Sequence, residues 1–322
     1  MAEPVCCCRN YCKTRENNGV GEWLGRHFVS SGGDSLIYRG ACVSDLDGTL
    51  LPHNGEISVE NLRSLESLSE KGICRVLATG RSLFSMRKVI PLHAPFDFVI
   101  FATGAGIMDW QNQELIYNQN LNAEQISRVC KVLEELNLDY MLHNAIPETH
   151  HLQYKAFKAI PDFLQRLEIY REYATELKQE QGPGWKLATQ FLAIVESHRE
   201  DLYDSLSRRL DPLTIIRTTS PLDFSSLWIE IFAPGVNKGS ALQHLLTKIG
   251  LSLSQCMVIG NDYNDLQMLE ICPNSYVTAN APDSMKQEFI NVGLCEENGF
   301  SMALNHWLQS SNPSRILSAI QK

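Results

Sequence analysis

Leu36-Ile-Tyr-Arg-Gly-Ala-Cys-Val-Ser44 is short, apolar and β-branched enough for a buried strand, and it breaks off abruptly into Asp45-Leu-Asp-Gly-Thr49. Two carboxylates this close together at the end of a buried strand cannot both be hidden without a partner, because unpaired buried charge is very costly. Gly48 gives the chain the backbone freedom to turn away. An Asp-Gly turn whose aspartates merely cap it is the alternative reading of the pentapeptide.

Working outward, Ser58 caps a helical pattern with Leu62, Leu65 and Leu68 on one face, stopped by Gly72. A second strand, Ile73 to Leu77, runs into Ala-Thr-Gly-Arg at 78–81, and a helix follows from Ser82. A third strand, Phe96 to Ala102, ends in Thr103-Gly104-Ala105-Gly106. Strand, polar loop and helix recurring at ~30-residue spacing predict right-handed βαβ units and a parallel sheet. After about residue 113 the pattern changes. Helical segments near 123–136, 162–180 and 199–209 alternate with more polar strands at 139–143, 187–195, 214–218 and 227–232, as suits an antiparallel sheet with one covered face. Beyond Pro234-Gly235 the first pattern returns, with a helix at 238–249, a strand at 255–259, a helix at 265–271, a strand at 275–278 and a helix from Pro282. The expected fold class is therefore α/β: a Rossmann-like parallel-sheet core (36–113 and 231–322) interrupted by an inserted α/β cap (114–230). Residues 1–35 read as a disordered leader.

The 322 residues suit two units of ordinary size. Hydrophobic residues make up 44%, enough for a real core, and 28 basic against 37 acidic side chains leave a net charge of -9. Such a chain has no general attraction for nucleic acid, so an anionic ligand must be held by a local device. No stretch approaches the ~18 to 20 apolar residues of a membrane span. Cys42, Cys74, Cys130, Cys256 and Cys272 read as reduced thiols of a cytoplasmic protein. The leader cluster Cys6, Cys7, Cys8 and Cys12 lacks the paired spacing of a zinc site.

In open parallel sheets ligands sit beyond the carboxyl ends of the strands. There this sequence places Asp45, Asp47, Thr79 and the cluster Asn261, Asp262 and Asp265, with Lys238 opening a helix that borders the same crevice. A hard divalent cation with oxygen ligands, magnesium, resolves the buried carboxylates. Asp45 can attack phosphorus as a carboxylate nucleophile, while Asp47 protonates the leaving oxygen and then deprotonates water. Thr79, with the backbone of Gly80 and Arg81, can hold a phosphoryl oxygen near a helix N-terminus, and Lys238 can neutralise developing charge.

The set resembles the haloacid dehalogenase superfamily, in particular its Cof-type and sucrose-phosphatase-like branch, over about residues 40–310. The resemblance implies Asp45 as nucleophile and as magnesium ligand through its carboxylate, and Asp47 as general acid/base and ligand through its backbone carbonyl. It also implies phosphoryl contacts from Thr79 and Lys238. That branch usually reads Gly-Asp-x-x-Asn-Asp in its last motif, whereas Asn261 stands here at the ligating aspartate. Either the Asn261 amide oxygen or the Asp262 carboxylate can complete the site. Asp262 is the expected ligand, directly or through water, with Asp265 holding a metal-bound water and Lys238.

The cap is expected to close over the crevice and exclude water. His143, Asn144, His150 and His151 flank Pro147-Glu148 as a polar cluster, read as a solvated loop rather than a zinc site, and Trp185 and Trp228 as core aromatics. The expected activity is magnesium-dependent hydrolysis of small phosphate monoesters, with sugar phosphates foremost, by a monomer or homodimer. A sugar phosphomutase using the same aspartate, and a binding protein that kept the fold, are the rivals. No G-x-G-x-x-G follows a strand and no P-loop occurs, so a dinucleotide- or ATP-binding enzyme is set aside.

Overall fold

The computed structural model describes residues 38–52, 55–177 and 184–310. The leader and its four cysteines lie outside the described residues, as do positions 36 and 37 of the strand expected from Leu36. The chain opens with β1 (Gly40–Ser44), crosses by α1 (Val59–Glu70) to β2 (Ile73–Ala78), and passes through the short α2 (Leu83–Met86) to β3 (Phe98–Phe101). Two further strands extend the sheet: β4 (Gly106–Asp109) antiparallel to β3, and β5 (Glu114–Asn118) antiparallel to β4.

A second sheet then begins with β6 (Leu121–Asn122), α3 (Ala123–Glu135), β7 (Tyr140–Asn144) and β8 (Leu152–Lys155). It continues with α4 (Pro161–Ile169), β9 (Ala174–Glu176), β10 (Leu187–Val195), α5 (Glu200–Leu210), β11 (Thr214–Thr219) and β12 (Leu227–Phe232). The chain returns through α6 (Lys238–Ile249), β13 (Cys256–Gly260), α7 (Leu266–Ile271) and β14 (Ser275–Val277), and closes with α8 (Asp283–Glu288), β15 (Ile290–Asn291) and α9 (Gly299–Ser310).

The first sheet runs β15-β14-β13-β1-β2-β3-β4-β5. Its first six strands are parallel, with Ser44 in register with Leu77 on one side and Ile259 on the other. Helices cover both faces, as a parallel sheet requires. Leu65 and Leu68 of α1 and Phe300, Leu304 and Trp307 of α9 join one apolar cluster, while Leu242 and Leu245 of α6 and Met268 of α7 join the other. The cap sheet runs β11-β12-β10-β7-β8-β9, antiparallel except for β8 with β9. α3 and α5 seal one of its faces through Val129, Leu133, Leu202 and Leu206, and α4 lies over the other through Phe163 and Leu167. Among the described residues no helix is long and apolar enough to cross a membrane.

The fold is the expected core with its inserted cap, and the departures are local. The helix expected over 162–180 stops at Ile169. After a single 3-10 turn at Arg171–Tyr173 the chain pairs with β8 as an edge strand, a tertiary contact that overrides the helical propensity of Arg171 and Glu172. β5 pairs with β4 in the first sheet, so the crossing to the cap falls after Asn118 rather than at 113. The terminal helix α9, absent from the sequence reading, packs beside α1.

Phe191 is fully buried in the cap and tilts against Tyr140 at 5.7 Å between ring centres. Phe191→Ala should cost about 3 to 5 kcal/mol in chemical denaturation. A loss below about 1 kcal/mol would show that the cap core is not packed as described.

Candidate active site

Three neighbouring strands deliver the site. The Asp45 N–H donates to Ile259 O at 2.9 Å and the Thr79 N–H to Ile100 O at 2.8 Å, so the polar strand ends stay tied to the ladder that precedes them. At the centre, Lys238 Nζ donates to Asp45 Oδ1 and to Asp265 Oδ1, each at 2.6 Å. All three side chains are buried, Lys238 and Asp265 completely. Burial alone would depress Lys238, but the Asp265 and Asp45 carboxylates outweigh it and hold the ammonium charged. Burial, then Asp265, push Asp45 up to about 7 against the pull of Lys238.

Asp265 has a second duty. Its Oδ2 accepts the N–H groups of Asn261 (2.8 Å) and Asp262 (3.1 Å), folding the loop after β13 back over its own carboxylate. Gly260 makes this possible, since a Cβ there would lie 2.5 Å from Asp265 Cγ and Oδ2. Gly48 is constrained twice. Its φ of +76° favours glycine, and a Cβ would come within 2.6 Å of Asn261 Nδ2.

The Asn261 amide decides how a cation fits. The amide atom facing the crevice lies 3.1 Å from Asp47 O, 3.3 Å from Asp45 Oδ2 and 3.2 Å from Thr49 Oγ1. With oxygen in that place, only Thr49 donates to it, and it stands beside two further oxygens, Asp47 O and Asp45 Oδ2. Its separations from them approach the roughly 2.9 Å between neighbouring oxygens around magnesium bonded at about 2.1 Å. With the amide reversed, nitrogen donates to the same three groups and the oxygen accepts from Asn280 Nδ2 at 3.1 Å. The pocket thus suits a hard cation, and satisfies itself without one by turning a single amide.

Asp262 departs from expectation. Its Oδ2 accepts from Thr218 Oγ1 (2.8 Å) and the Thr219 N–H (3.2 Å) of the cap strand β11, and its Oδ1 accepts from the Tyr263 N–H (2.8 Å). Both oxygens are spent away from Asp45, and the Asn261 amide occupies the place expected for Asp262. Arg81 also departs. Its Nε and Nη2 hold both Asp47 oxygens, at 2.8 and 2.7 Å, because the planar guanidinium fork matches a carboxylate. Thr79 is fully buried, and its Oγ1 accepts the Arg81 N–H at 3.1 Å, shaping the loop in which Gly80 lies.

Several site residues escaped the sequence reading. Asn280 Nδ2 donates to Gly48 O at 3.1 Å and steadies the nucleophile loop from β14. Glu230 is buried on the cap strand β12, where Thr103 Oγ1 donates to its Oε2 (3.1 Å) and Gln190 Nε2 to its Oε1 (3.0 Å). A lone acid inside Leu-Trp-Ile-Glu-Ile-Phe was a legible signal. In the polar cluster, His143 is buried, His150 stacks on Phe84 at 4.4 Å, and one ligand atom from each of Glu148, His150 and His151 falls within a 4.8 Å set. Trp228 is a buried aromatic, its Nε1 donating to Asp162 Oδ2 at 2.6 Å.

A family model for haloacid dehalogenase-like hydrolases matches residues 42–303. The chain belongs to that family. The match takes in every residue of the site above. An HMP-PP phosphatase of Citrobacter koseri is 27% identical over 271 residues, covering 83% of this chain and 94% of that protein. One from Yersinia pseudotuberculosis is 26% identical over 284 residues, covering 85% and 97%. Among solved structures, the phosphatase BT1666 of Bacteroides thetaiotaomicron shares the fold with a TM-score of 0.68 at 20% identity, covering 85% of this chain and 96% of that one. The subclass IIB sugar phosphatase BT4131 does so with a TM-score of 0.66 at 18% identity, covering 83% and 98%. The hydrolase assignment thus rests on the family match, and these structural likenesses establish the core-and-cap architecture.

A carboxyl raised from 3.8 to about 7 on folding stabilises the fold only while protonated. Its contribution is full below about pH 4 and lost as pH rises through 7. In metal-free protein, the melting temperature of Asp45→Asn minus that of wild type should therefore grow between about pH 4 and 8. A flat difference would show that Asp45 titrates normally.

Proposed function

We propose that this hydrolase is a magnesium-dependent phosphatase of small phosphate monoesters that works through an aspartyl-phosphate on Asp45. The observation that carries the reading is the division of labour on that carboxylate. Lys238 fixes Oδ1, while Oδ2 lies beside Asp47 O and the Asn261 amide. Asp45 Oδ2, Asp47 O and Asn261 Oδ1 would hold the cation, which supplies positive charge against the phosphoryl oxygens and the nucleophile.

Asp45 Oδ1 forms the bond to phosphorus as the ester P–O bond breaks, and Asp47 gives its proton to the departing oxygen. Water then attacks the aspartyl-phosphate. Asp47 takes back a proton, the acyl-phosphate P–O bond breaks, and Asp45 returns as a carboxylate with phosphate released. Because Asp47 must carry a proton in the first half, its pair with Arg81 has to open then; the ionised, paired form is the base of the second half. Lys238 offsets charge on Asp45 throughout, and in the Thr79–Arg81 loop the Gly80 N–H and the Thr79 hydroxyl are the donors for the phosphoryl oxygens. On a chain of net charge -9, Lys238, Arg81 and the cation make this crevice the place where a phosphate ester is welcome.

The relatives named HMP-PP phosphatases and the neighbour named a sugar phosphatase support release of phosphate from small esters. Sugar phosphates remain the first class to try.

Phosphate release from an ester panel should require magnesium, stop with EDTA, and fall at least ~1,000-fold in Asp45→Asn. An undiminished rate in purified Asp45→Asn would remove Asp45 as nucleophile, and an isomeric sugar phosphate in place of free phosphate would make the enzyme a mutase. Asn261→Ala should weaken magnesium binding about 10- to 100-fold, while Asp262→Ala leaves it within about threefold. The reverse ranking would restore Asp262 as the ligand.

A further inference from the structure

The cap face that meets the core through Glu230 and Thr103 carries two buried polar atoms the proposed phosphoryl transfer does not use. His143 on β7 is 5% exposed, and its Nε2 has no hydrogen-bond partner among the described residues. Its Nδ1 lies 2.8 Å from the carbonyl oxygen of Thr149. A carbonyl only accepts, so Nδ1 carries the hydrogen, and in the neutral ring Nε2 is left as a lone-pair acceptor. The ring stays neutral, because burial and then the nearby Arg166 depress it to about 3.

The second atom is Arg166 Nε on α4, buried and likewise without a partner. The Arg166 guanidinium lies over Trp228 at 4.4 Å and Tyr170 at 5.1 Å, and Tyr170 meets the His143 ring edge-on at 6.5 Å. The two atoms therefore belong to one patch. That patch is connected to the phosphate loop. His143 pairs across the sheet with Gln190, Gln190 binds Glu230, and Glu230 binds Thr103, whose Oγ1 is 3.5 Å from where a Cβ of Gly80 would stand.

We propose that His143 Nε2 and Arg166 Nε–H read the leaving group of the substrate, one as a fixed acceptor and the other as a fixed donor. This rests on the phosphatase reading and narrows it. The leaving group places a neutral O–H or N–H against His143 and an acceptor, such as a neighbouring hydroxyl oxygen, against Arg166. A second phosphate or a carboxylate is disfavoured at His143, where two lone pairs would face each other. An apolar alcohol would bury both atoms unpaired, the situation in which polar sites discriminate most strongly.

The test compares glucose 6-phosphate and ribose 5-phosphate, rich in hydroxyl donors, with p-nitrophenyl phosphate, whose leaving group has none. The enzymes are wild type, His143→Leu, His143→Gln and Arg166→Met, all with magnesium. Wild type should favour at least one hydroxyl-rich ester. His143→Leu and Arg166→Met should lower kcat/KM for it roughly 10- to 100-fold, mostly through KM, while p-nitrophenyl phosphate changes less than about twofold. His143→Gln, which keeps an acceptor, should recover much of the loss.

Retained p-nitrophenyl phosphate turnover also shows that the variants are folded. Equal losses on both kinds of ester would make His143 and Arg166 merely structural and overturn the proposal. So would a wild type that prefers p-nitrophenyl phosphate, and in either case the phosphatase reading would stand. Wild type that releases phosphate from none of these esters would instead sink that reading, and the pocket assignment with it.

Discussion

A buried ammonium held between two carboxylates is the constraint on which this active site depends. Removing Lys238, Asp45 and Asp265 from water costs several kcal/mol per ion unless each finds a partner. The strand ends are arranged so that each does, at 2.6 Å on both sides of Lys238. Lys238 reaches the centre because α6 starts there, its N-terminus fixed by Asn237, whose side chain accepts the Ser240 N–H while Ser240 bonds back. Asp265 reaches it because Gly260 leaves the room. With both carboxylates ionised the trio carries one negative charge, which a divalent cation beside Asp45 and Asp47 would more than offset.

Much of this was legible from residues alone. Asp45, Asp47, Thr79 and Lys238 each follow an apolar run or open a helix, and the rule that ligands gather at the carboxyl ends of parallel strands brings them together before any coordinate is known. The βαβ rhythm gave the core, and its interruption gave the cap. The choice between Asn261 and Asp262 was not legible, because consecutive residues in a loop point in different directions. Only the two N–H bonds to Asp265 fix which side chain faces Asp45 and which faces β11.

Other misses have the same origin. The partner of the Arg81 side chain could not be read from the sequence; the fork it makes with Asp47 joins residues from two strand ends. β4 and β5 are short, with register irregularities and partly exposed residues, so periodicity says little about them. The end of α4 was overrun because Arg171 and Glu172 favour a helix locally, and pairing with β8 is a contact that no local pattern reports.

The bonds from Asp262 to Thr218 and Thr219 reach beyond their own loop. They belong at once to the segment carrying Asn261 and to the rim of the cap, so neither can move away without breaking both bonds. Binding free energies in such an arrangement are reciprocal. A cation that steadied the loop would therefore steady the cap rim resting on it, and a cap held in place would tighten the hold on that cation by the same factor. Charge neutralisation below and the placing of the cap above would then be one equilibrium, read from two ends.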